Sequence, residues 1–232
     1  MTCTLINGDC FEELPKILDN SMGNFCIVTD PPYNIGFKYD VYKDNLPRRQ
    51  YLEGLTVLLE NFPSVIINYP EAICELSSYS GYIPNEIVTW VYNSQFNKQS
   101  RSIAFFNIDV DFNNLIQPYK NPNDKRVKKL IENGKQGCRS YDWWEIQQVK
   151  NVSKEKTQHP CPVPLKLMEN ILKIIPKDLT VIDPFMGGGT TMLACLENNR
   201  DCIGIEISEN YYNIAKKRCR EYQSKLTMET IQ

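Results

Sequence analysis

The sequence contains a single histidine in 232 residues, which argues against a metal site that needs several histidines. It also lacks any C-x-x-C pair. Its nine cysteines are odd in number and scattered over positions 3, 10, 26, 74, 138, 161, 195, 202 and 219. Neither a zinc site nor a disulfide framework fits that spacing. We therefore expect no bound metal and a reducing, cytoplasmic compartment.

Two further absences concern membranes. No apolar run is long enough to span a bilayer. The start, MTCTLINGDCFEEL, lacks the basic region and apolar stretch of a signal peptide. The 42% hydrophobic and 23% charged residues are ordinary for a soluble globular protein, so no membrane partner is expected.

The charge is unevenly distributed along the chain. Residues 98–139 contain nine Lys and Arg against four Asp and Glu, a local charge of +5. The remaining 17 basic and 24 acidic residues leave −7 elsewhere. A basic segment in an acidic protein suggests a polyanionic partner on one face. On charge alone, however, a solvated lysine-rich helix around DKRVKKLIE is the favoured interpretation.

The order of elements predicts an α/β fold in three parts. Residues 1–106 alternate strand-like and helix-like segments and end in a hairpin, EIVTWVYN with SIAFFN, so we expect a mostly parallel sheet with an antiparallel edge hairpin. Residues 107–158 are rich in Asn, Pro, Gly and Lys and predict a small irregular insertion. Residues 159–232 return to alternation and complete the core.

Two strand-to-helix turns carry unusual residues. DPPY (residues 30–33) follows the apolar run NFCIV, and its prolines must end the strand, placing a carboxylate and an aromatic ring at the strand's carboxyl end. DPFMGGGTT (residues 183–191) follows the strand LTVID with glycines that let a ligand approach the backbone. Glu206 ends the next strand, where an acid can bind a ribose hydroxyl pair.

DPPY paired with DPFMGGGTT resembles the amino-methylating DNA methyltransferases that use S-adenosylmethionine. DPPY comes first, which is similar to the family's β arrangement. The resemblance implies a Rossmann-like methyltransferase core with residues 1–106 as the catalytic half, 107–158 as the target-recognition insertion and 159–232 as the cofactor-binding half. It also implies DNA as partner and a bacterial or phage setting.

The resemblance implies roles for individual residues. The catalytic turn would consist of Asp30, Pro31, Pro32 and Tyr33. The cofactor would be bound by Asp9, His159, Asp183, Phe185, Gly187, Gly189, Thr190 and Glu206. The family's H-P-T-Q-K-P reads HPCPVP here, so no cofactor contact is assigned to residues 161–163.

The chemistry explains why the turn needs these residue types. An exocyclic amine is a poor nucleophile, and Asp30 with the Pro31 carbonyl can accept its two N–H groups and orient its lone pair, an effect of position. Tyr33 offers a ring on which a flipped-out base can stack. The basic segment would then hold DNA phosphates through Lys98, Arg101, Lys120, Lys125 and Arg126.

In the resembling family, Asp at the first motif position usually accompanies adenine, so we expect N6-adenine methylation. N4-cytosine methylation is the closest alternative, and RNA or protein-amide substrates are more distant ones. From other classes, a catalytically inactive DNA-binding homologue and a nicotinamide oxidoreductase remain. The short insertion leaves open whether a homodimer is needed for sufficient grip on DNA.

Overall fold

The computed structural model of the protein describes residues 1–19, 24–93, 97–149 and 160–229. Within them the strands are β1 (Cys3–Asn7), β2 (Phe25–Thr29), β3 (Ser64–Asn68), β4 (Glu86–Val91), β5 (Ser100–Phe106), β6 (Ile116–Gln117), β7 (Cys138–Arg139), β8 (Trp143–Glu145), β9 (Thr180–Asp183) and β10 (Cys202–Glu206). The α-helices are α1 (Cys10–Asp19), α2 (Arg48–Asn61), α3 (Pro70–Ser80), α4 (Lys125–Glu132), α5 (Leu165–Ile174), α6 (Thr190–Glu197) and α7 (Glu209–Glu229).

Eight strands form one sheet in the order β1, β10, β9, β2, β3, β5, β4, β8. Every neighbouring pair is parallel except those of β5, which runs antiparallel to β3 and β4. The predicted α/β fold, with its mostly parallel sheet and antiparallel hairpin, is confirmed.

The central strands are buried on both faces. In β2, Cys26 and Val28 pack into one apolar cluster with α5 and α6, whereas Ile27 packs into a second cluster with α2 and α3. Successive side chains of a strand point to opposite faces, so the sheet lies between two helical layers. This explains why β2 reads as a continuous apolar run without polar alternation.

The helix α5 packs on one side. Its buried residues include Leu167, Met168, Ile171 and Leu172, at the spacing of a helix with one apolar face. Ser208 caps the start of α7, because its hydroxyl oxygen accepts a hydrogen bond from the Tyr211 N–H at 3.2 Å.

The insertion is more regular than its composition indicates. It contains α4, the two-stranded β6–β7 sheet and β8, which pairs with β4 outside the hairpin. Thus the hairpin does not form the edge of the sheet, because β8 satisfies the outer backbone groups of β4. The domain boundaries at residues 106 and 158 stay a prediction, the second of them in a stretch outside the described residues.

Candidate active site

The DPPY turn lies at the carboxyl end of β2, directly after Thr29. The Tyr33 hydroxyl donates a hydrogen bond to Asp30 Oδ1. Asp30 keeps part of its surface open, yet burial raises its pKa to about 7, a shift that the Tyr33 hydrogen bond and the Arg101 charge only partly oppose. A carboxyl that titrates near neutrality in a cavity is typical of a reactive site.

The loop after DPPY is folded around one carboxylate. Asp44, 2% exposed, accepts hydrogen bonds from the backbone N–H groups of Asn34, Ile35 and Phe37 at 2.7, 3.1 and 2.9 Å. Gly36 takes a φ of +78° within this turn, a conformation that suits glycine. Asp44 therefore fixes the path of the chain as it leaves the catalytic turn.

The glycine turn lies at the carboxyl end of β9, the neighbour of β2. Asp183 accepts hydrogen bonds from the Thr29 hydroxyl at 2.7 Å, the Thr191 hydroxyl at 2.6 Å and the Phe185 N–H at 3.1 Å. Burial raises its pKa despite these three donors. Asp183 therefore lies behind the turn and ties it to β2 and α6.

Gly189 and Thr190 form the start of α6. Gly189 has a φ of +79°, and an added Cβ would lie 2.8 Å from the Ala215 Cβ. Thr190 is 7% exposed at the first position of the helix. Gly189 therefore permits the close packing of the start of α6 against α7.

Glu206 links the glycine turn to the next strand. Its two carboxylate oxygens accept the N–H groups of Gly187 at 2.8 Å and of Ser208 at 2.9 Å. It is 8% exposed, and burial raises its pKa. Each oxygen keeps a further acceptor position, which suits a pair of sugar hydroxyls.

One cavity of about 450 Å³ joins the two turns, within the range of ~300–1,000 Å³ usual for small-molecule sites. Its walls include the entire DPPY turn together with Phe185, Gly187 and Glu206, and Asp9 from the first strand-to-helix turn. Asp9 Oδ1 accepts the Phe11 N–H at 2.9 Å. Eight of the residues predicted for catalysis and cofactor binding therefore meet in one space, while Asp183, Gly189 and Thr190 lie outside its lining. His159 lies outside the described residues.

The residues predicted to bind DNA are placed differently from one another. Lys98, Lys120, Lys125 and Arg126 are exposed. Lys98 pairs with Glu71 and lies 4.1 Å from the ring centroid of Tyr69, a residue of the cavity wall. Lys120 lies over Tyr141 and Trp143, and Lys125 and Arg126 begin α4.

Arg101 is the exception, because it is 8% exposed and lines the cavity beside Tyr33. Sequence reasoning also missed Tyr69 and Trp90 in the cavity wall. Tyr69 directly follows β3, and Trp90 lies in β4. Only the pairing order of the strands in the sheet brings both residues to the cavity.

A mostly parallel sheet whose glycine turn and Asp-Pro-Pro-Tyr turn face one cavity is the arrangement of an S-adenosylmethionine-dependent methyltransferase. The model of the DNA methylase family matches residues 25–217. The chain therefore belongs to the DNA methylase family, and its cofactor is S-adenosylmethionine.

Individual proteins show the same relationship. The type II methyltransferase M.HpaI of Haemophilus parainfluenzae is 29% identical over 236 residues, covering 92% of this chain and 73% of the relative. The DNA adenine methyltransferase YhdJ of Escherichia coli K12 is 26% identical, covering 93% and 82%. The structure of the M1.HpyAVI–SAM complex matches with a TM-score of 0.63 and 21% identity, covering 94% of this chain and 100% of that one, and supports the fold.

Two structural findings concern expected absences. In the described part of the chain, no group of three or more His, Cys, Asp or Glu side chains is arranged to hold a metal ion. None of the described helices combines the length and apolar character needed to cross a membrane.

Proposed function

We propose that the protein methylates the N6 amine of adenine in DNA, with the base flipped out of the duplex into the cavity. The observation that carries this proposal is the shared cavity, in which Asp30 and Tyr33 lie together with Gly187 and Glu206. Base and cofactor can therefore meet in one space, as direct transfer between them requires.

The cofactor fits the residues that line its half of the cavity. Glu206 would accept the ribose hydroxyls, Phe185 would cover one face of the adenine ring, and Asp9 would accept a hydrogen bond from the nucleoside. When bound, S-adenosylmethionine supplies an activated methyl group on a positively charged sulfur.

Asp30 and the Pro31 carbonyl would accept the two N–H groups of the target amine. This orients the nitrogen lone pair for attack, and the new N–C bond forms as the methyl–sulfur bond breaks. Asp30, with its pKa of about 7, is suited to take the proton that the amine then releases. The Tyr33 ring would stack on the base and recover ~1–3 kcal/mol of the cost of flipping.

Adenine is favoured over cytosine on two grounds. Asp30 stands where the family's adenine enzymes usually carry Asp, and a relative of similar coverage is a DNA adenine methyltransferase. N4-cytosine methylation is the second candidate, because the matching family covers both amines. The same acceptor pair would serve either base.

The exposed cations would hold the DNA backbone. Lys98 lies over Tyr69 of the cavity wall, and Lys120, Lys125 and Arg126 extend the positive surface into the insertion.

The short insertion also leads us to propose that two copies act together, which light scattering with and without DNA would check. We further propose a reducing compartment such as a bacterial cytoplasm, because the nine cysteines are odd in number and scattered along the sequence.

The test is methyl transfer from labelled S-adenosylmethionine to mixed-sequence duplex DNA, followed by digestion to nucleosides. N6-methyladenine is the expected product, and Asp30→Ala should abolish it. N4-methylcytosine would keep the mechanism and overturn the base. Absence of any methylated nucleoside, despite cofactor binding, would overturn the proposal.

A further inference from the structure

We propose that Arg101 is a positioning residue for methyl transfer. Through the Tyr33 hydroxyl it fixes the Asp30 carboxylate, so that one oxygen is held by Tyr33 and the other is left for the amine of the target base. The inference rests on the proposed function and assigns the role of a residue that the sequence offered only as a phosphate contact.

A continuous chain of hydrogen bonds connects the three residues. Arg101 Nε donates to the Tyr33 hydroxyl oxygen at 3.3 Å, and the Tyr33 hydroxyl donates to Asp30 Oδ1. Asp30 Oδ2 receives no hydrogen bond from the described residues. The carboxylate is thus held on one side only, as an acceptor for an incoming N–H group must be.

The guanidinium itself is firmly held. Its Cζ lies 3.8 Å from the ring centroid of Tyr69, 5.2 Å from that of Tyr33 and 5.3 Å from that of Tyr92. Its Nη1 donates to the Tyr92 hydroxyl and to the Ser100 carbonyl at 3.1 Å. A planar guanidinium stacked in this way fixes the direction of its N–H donors, whereas the ammonium of a lysine on a flexible side chain does not.

The charge of Arg101 also bears on the ionisation of Asp30. The ionisable groups that face Asp30 in the described structure are Arg101, Tyr33 and Asp183, with Tyr39 and Tyr92 further out. Arg101 is the only cation among them. Its charge lowers the pKa of Asp30 against the effect of burial and keeps the acceptor ionised near neutral pH.

The burial of Arg101 separates this role from a phosphate contact. The side chain is 8% exposed, and its Nε and Nη1 atoms donate to the hydroxyls of Tyr33 and Tyr92, so these two atoms are already engaged within the protein. Loss of a phosphate contact would raise KM for DNA and reduce its salt dependence. Loss of a positioning residue lowers kcat and moves the pH profile.

The experiment compares wild type, Arg101→Gln, Tyr33→Phe and the double variant in steady-state DNA methylation between pH 5.5 and 9. We expect each single variant to lower kcat at pH 7 about tenfold. We also expect each to shift the acidic limb of the pH profile of kcat upward by about one pH unit, because each loses one charge-assisted hydrogen bond. Because Arg101 positions Asp30 through the Tyr33 hydroxyl, the double variant should match Arg101→Gln within about threefold in kcat at pH 9, above the pH range in which Asp30 titrates. Arg101→Lys should restore the position of the acid limb better than it restores kcat.

Arg48→Gln is the matched control. Arg48 also lies over a tyrosine ring, 5.1 Å from the centroid of Tyr51, but it pairs with Glu75 on the surface. Its pH profile should coincide with that of wild type. Cofactor affinity and melting temperature, measured for every variant, show whether the fold is intact. Arg101→Lys carries the test if Arg101→Gln does not fold, because it keeps the charge but loses the planar fork that donates to the Tyr33 hydroxyl.

The outcomes separate the two proposals. A wild-type protein that forms no methylated base overturns the proposed function. An active wild type whose Arg101→Gln variant keeps both kcat and the acid limb, or changes only KM for DNA, overturns the positioning role alone. Additive losses of kcat at pH 9 in the double variant would also overturn it, because Arg101 would then position the acceptor independently of Tyr33.

Discussion

Two Asp-Pro turns lie side by side in this sheet, and they differ in how many donors meet the carboxylate. Asp30 directly follows β2, and Asp183 ends its neighbour β9. Among the described residues, Asp183 accepts three hydrogen bonds from protein groups and does not line the cavity, whereas Asp30 accepts one and faces it. The same dipeptide at nearly the same place in the fold is thus satisfied by protein groups in one turn and open to a ligand in the other.

The difference follows from the residues around each turn. Thr29 and Thr191 bring hydroxyls to Asp183 from β2 and α6, which leaves little acceptor capacity for a ligand. Around Asp30 the sequence supplies prolines, which have no N–H, and a single tyrosine. An acid becomes available for chemistry where its neighbours cannot satisfy it.

The largest expected effect comes from Asp30→Asn. We expect methylation to fall by at least ~10²-fold, because an amide presents one acceptor and a competing donor to the target amine. The free energy of unfolding should also rise at pH 8. Burial raises the pKa of Asp30 to about 7, so the ionised carboxylate destabilises the folded protein at any pH above the pKa of the unfolded chain, and the neutral amide removes that cost. Labelled methyl transfer and denaturant unfolding check the two halves, and a variant that is both active and destabilised would contradict the comparison.

Asp183→Ala should show the opposite pattern. It leaves the Thr29 hydroxyl, the Thr191 hydroxyl and the Phe185 N–H without their acceptor, at a cost of about 2–4 kcal/mol in the free energy of unfolding. Activity should fall mainly through weaker cofactor binding, with kcat at saturating cofactor closer to wild type. Urea unfolding and calorimetric titration with S-adenosylmethionine would measure both, and loss of kcat alone in a stable protein would contradict this assignment.

The pH dependence of kcat/KM sharpens the comparison further. Asp30 must be ionised to accept the amine, so activity should rise with pH through a midpoint of about 7 and fall about tenfold per unit below it. The residual activity of Asp30→Asn should lack this limb. A wild-type profile of kcat/KM that is flat down to pH 5 would show that the pKa of Asp30 is close to that of an ordinary aspartate. The cavity would then not set Asp30 apart from Asp183 in its ionisation.

The sequence predicts the local part of this picture. Both turns and the strands before them are marked by motifs of fewer than ten residues. The DPPY turn, Phe185, Gly187 and Glu206 can therefore be picked out from the sequence, and they line one cavity. The contacts of Arg101 are not predictable in this way, because β5 places it beside Tyr33, 68 positions away, only once the sheet has its order. The position of β8 beside β4 is not predictable for the same reason. A strand of three residues is too short to show an alternating pattern in the sequence, and its partner strand is distant along the chain.

The helix α3 shows a different limit. Its segment PEAICELSSYS begins with proline and ends at Gly81 in the left-handed conformation, which are sound helix signals. Only Ile73 and Leu76 are buried, so the apolar stripe is too short to reveal a helix by its period. Capping residues are the better guide for such half-exposed helices.

The smallest expected effect contrasts one glycine from each turn region. Gly36 and Gly189 have nearly equal φ values of +78° and +79°, so alanine should cost each about 1 kcal/mol of backbone strain. Gly36 has no atom within 4 Å of an added Cβ, whereas that of Gly189 would lie 2.8 Å from the Ala215 Cβ. Gly189→Ala should therefore cost about 1–3 kcal/mol more in the free energy of unfolding. Equal losses in urea unfolding would mean that α6 and α7 separate at little cost, and the glycine turn would then be no more tightly packed than the loop after the catalytic one.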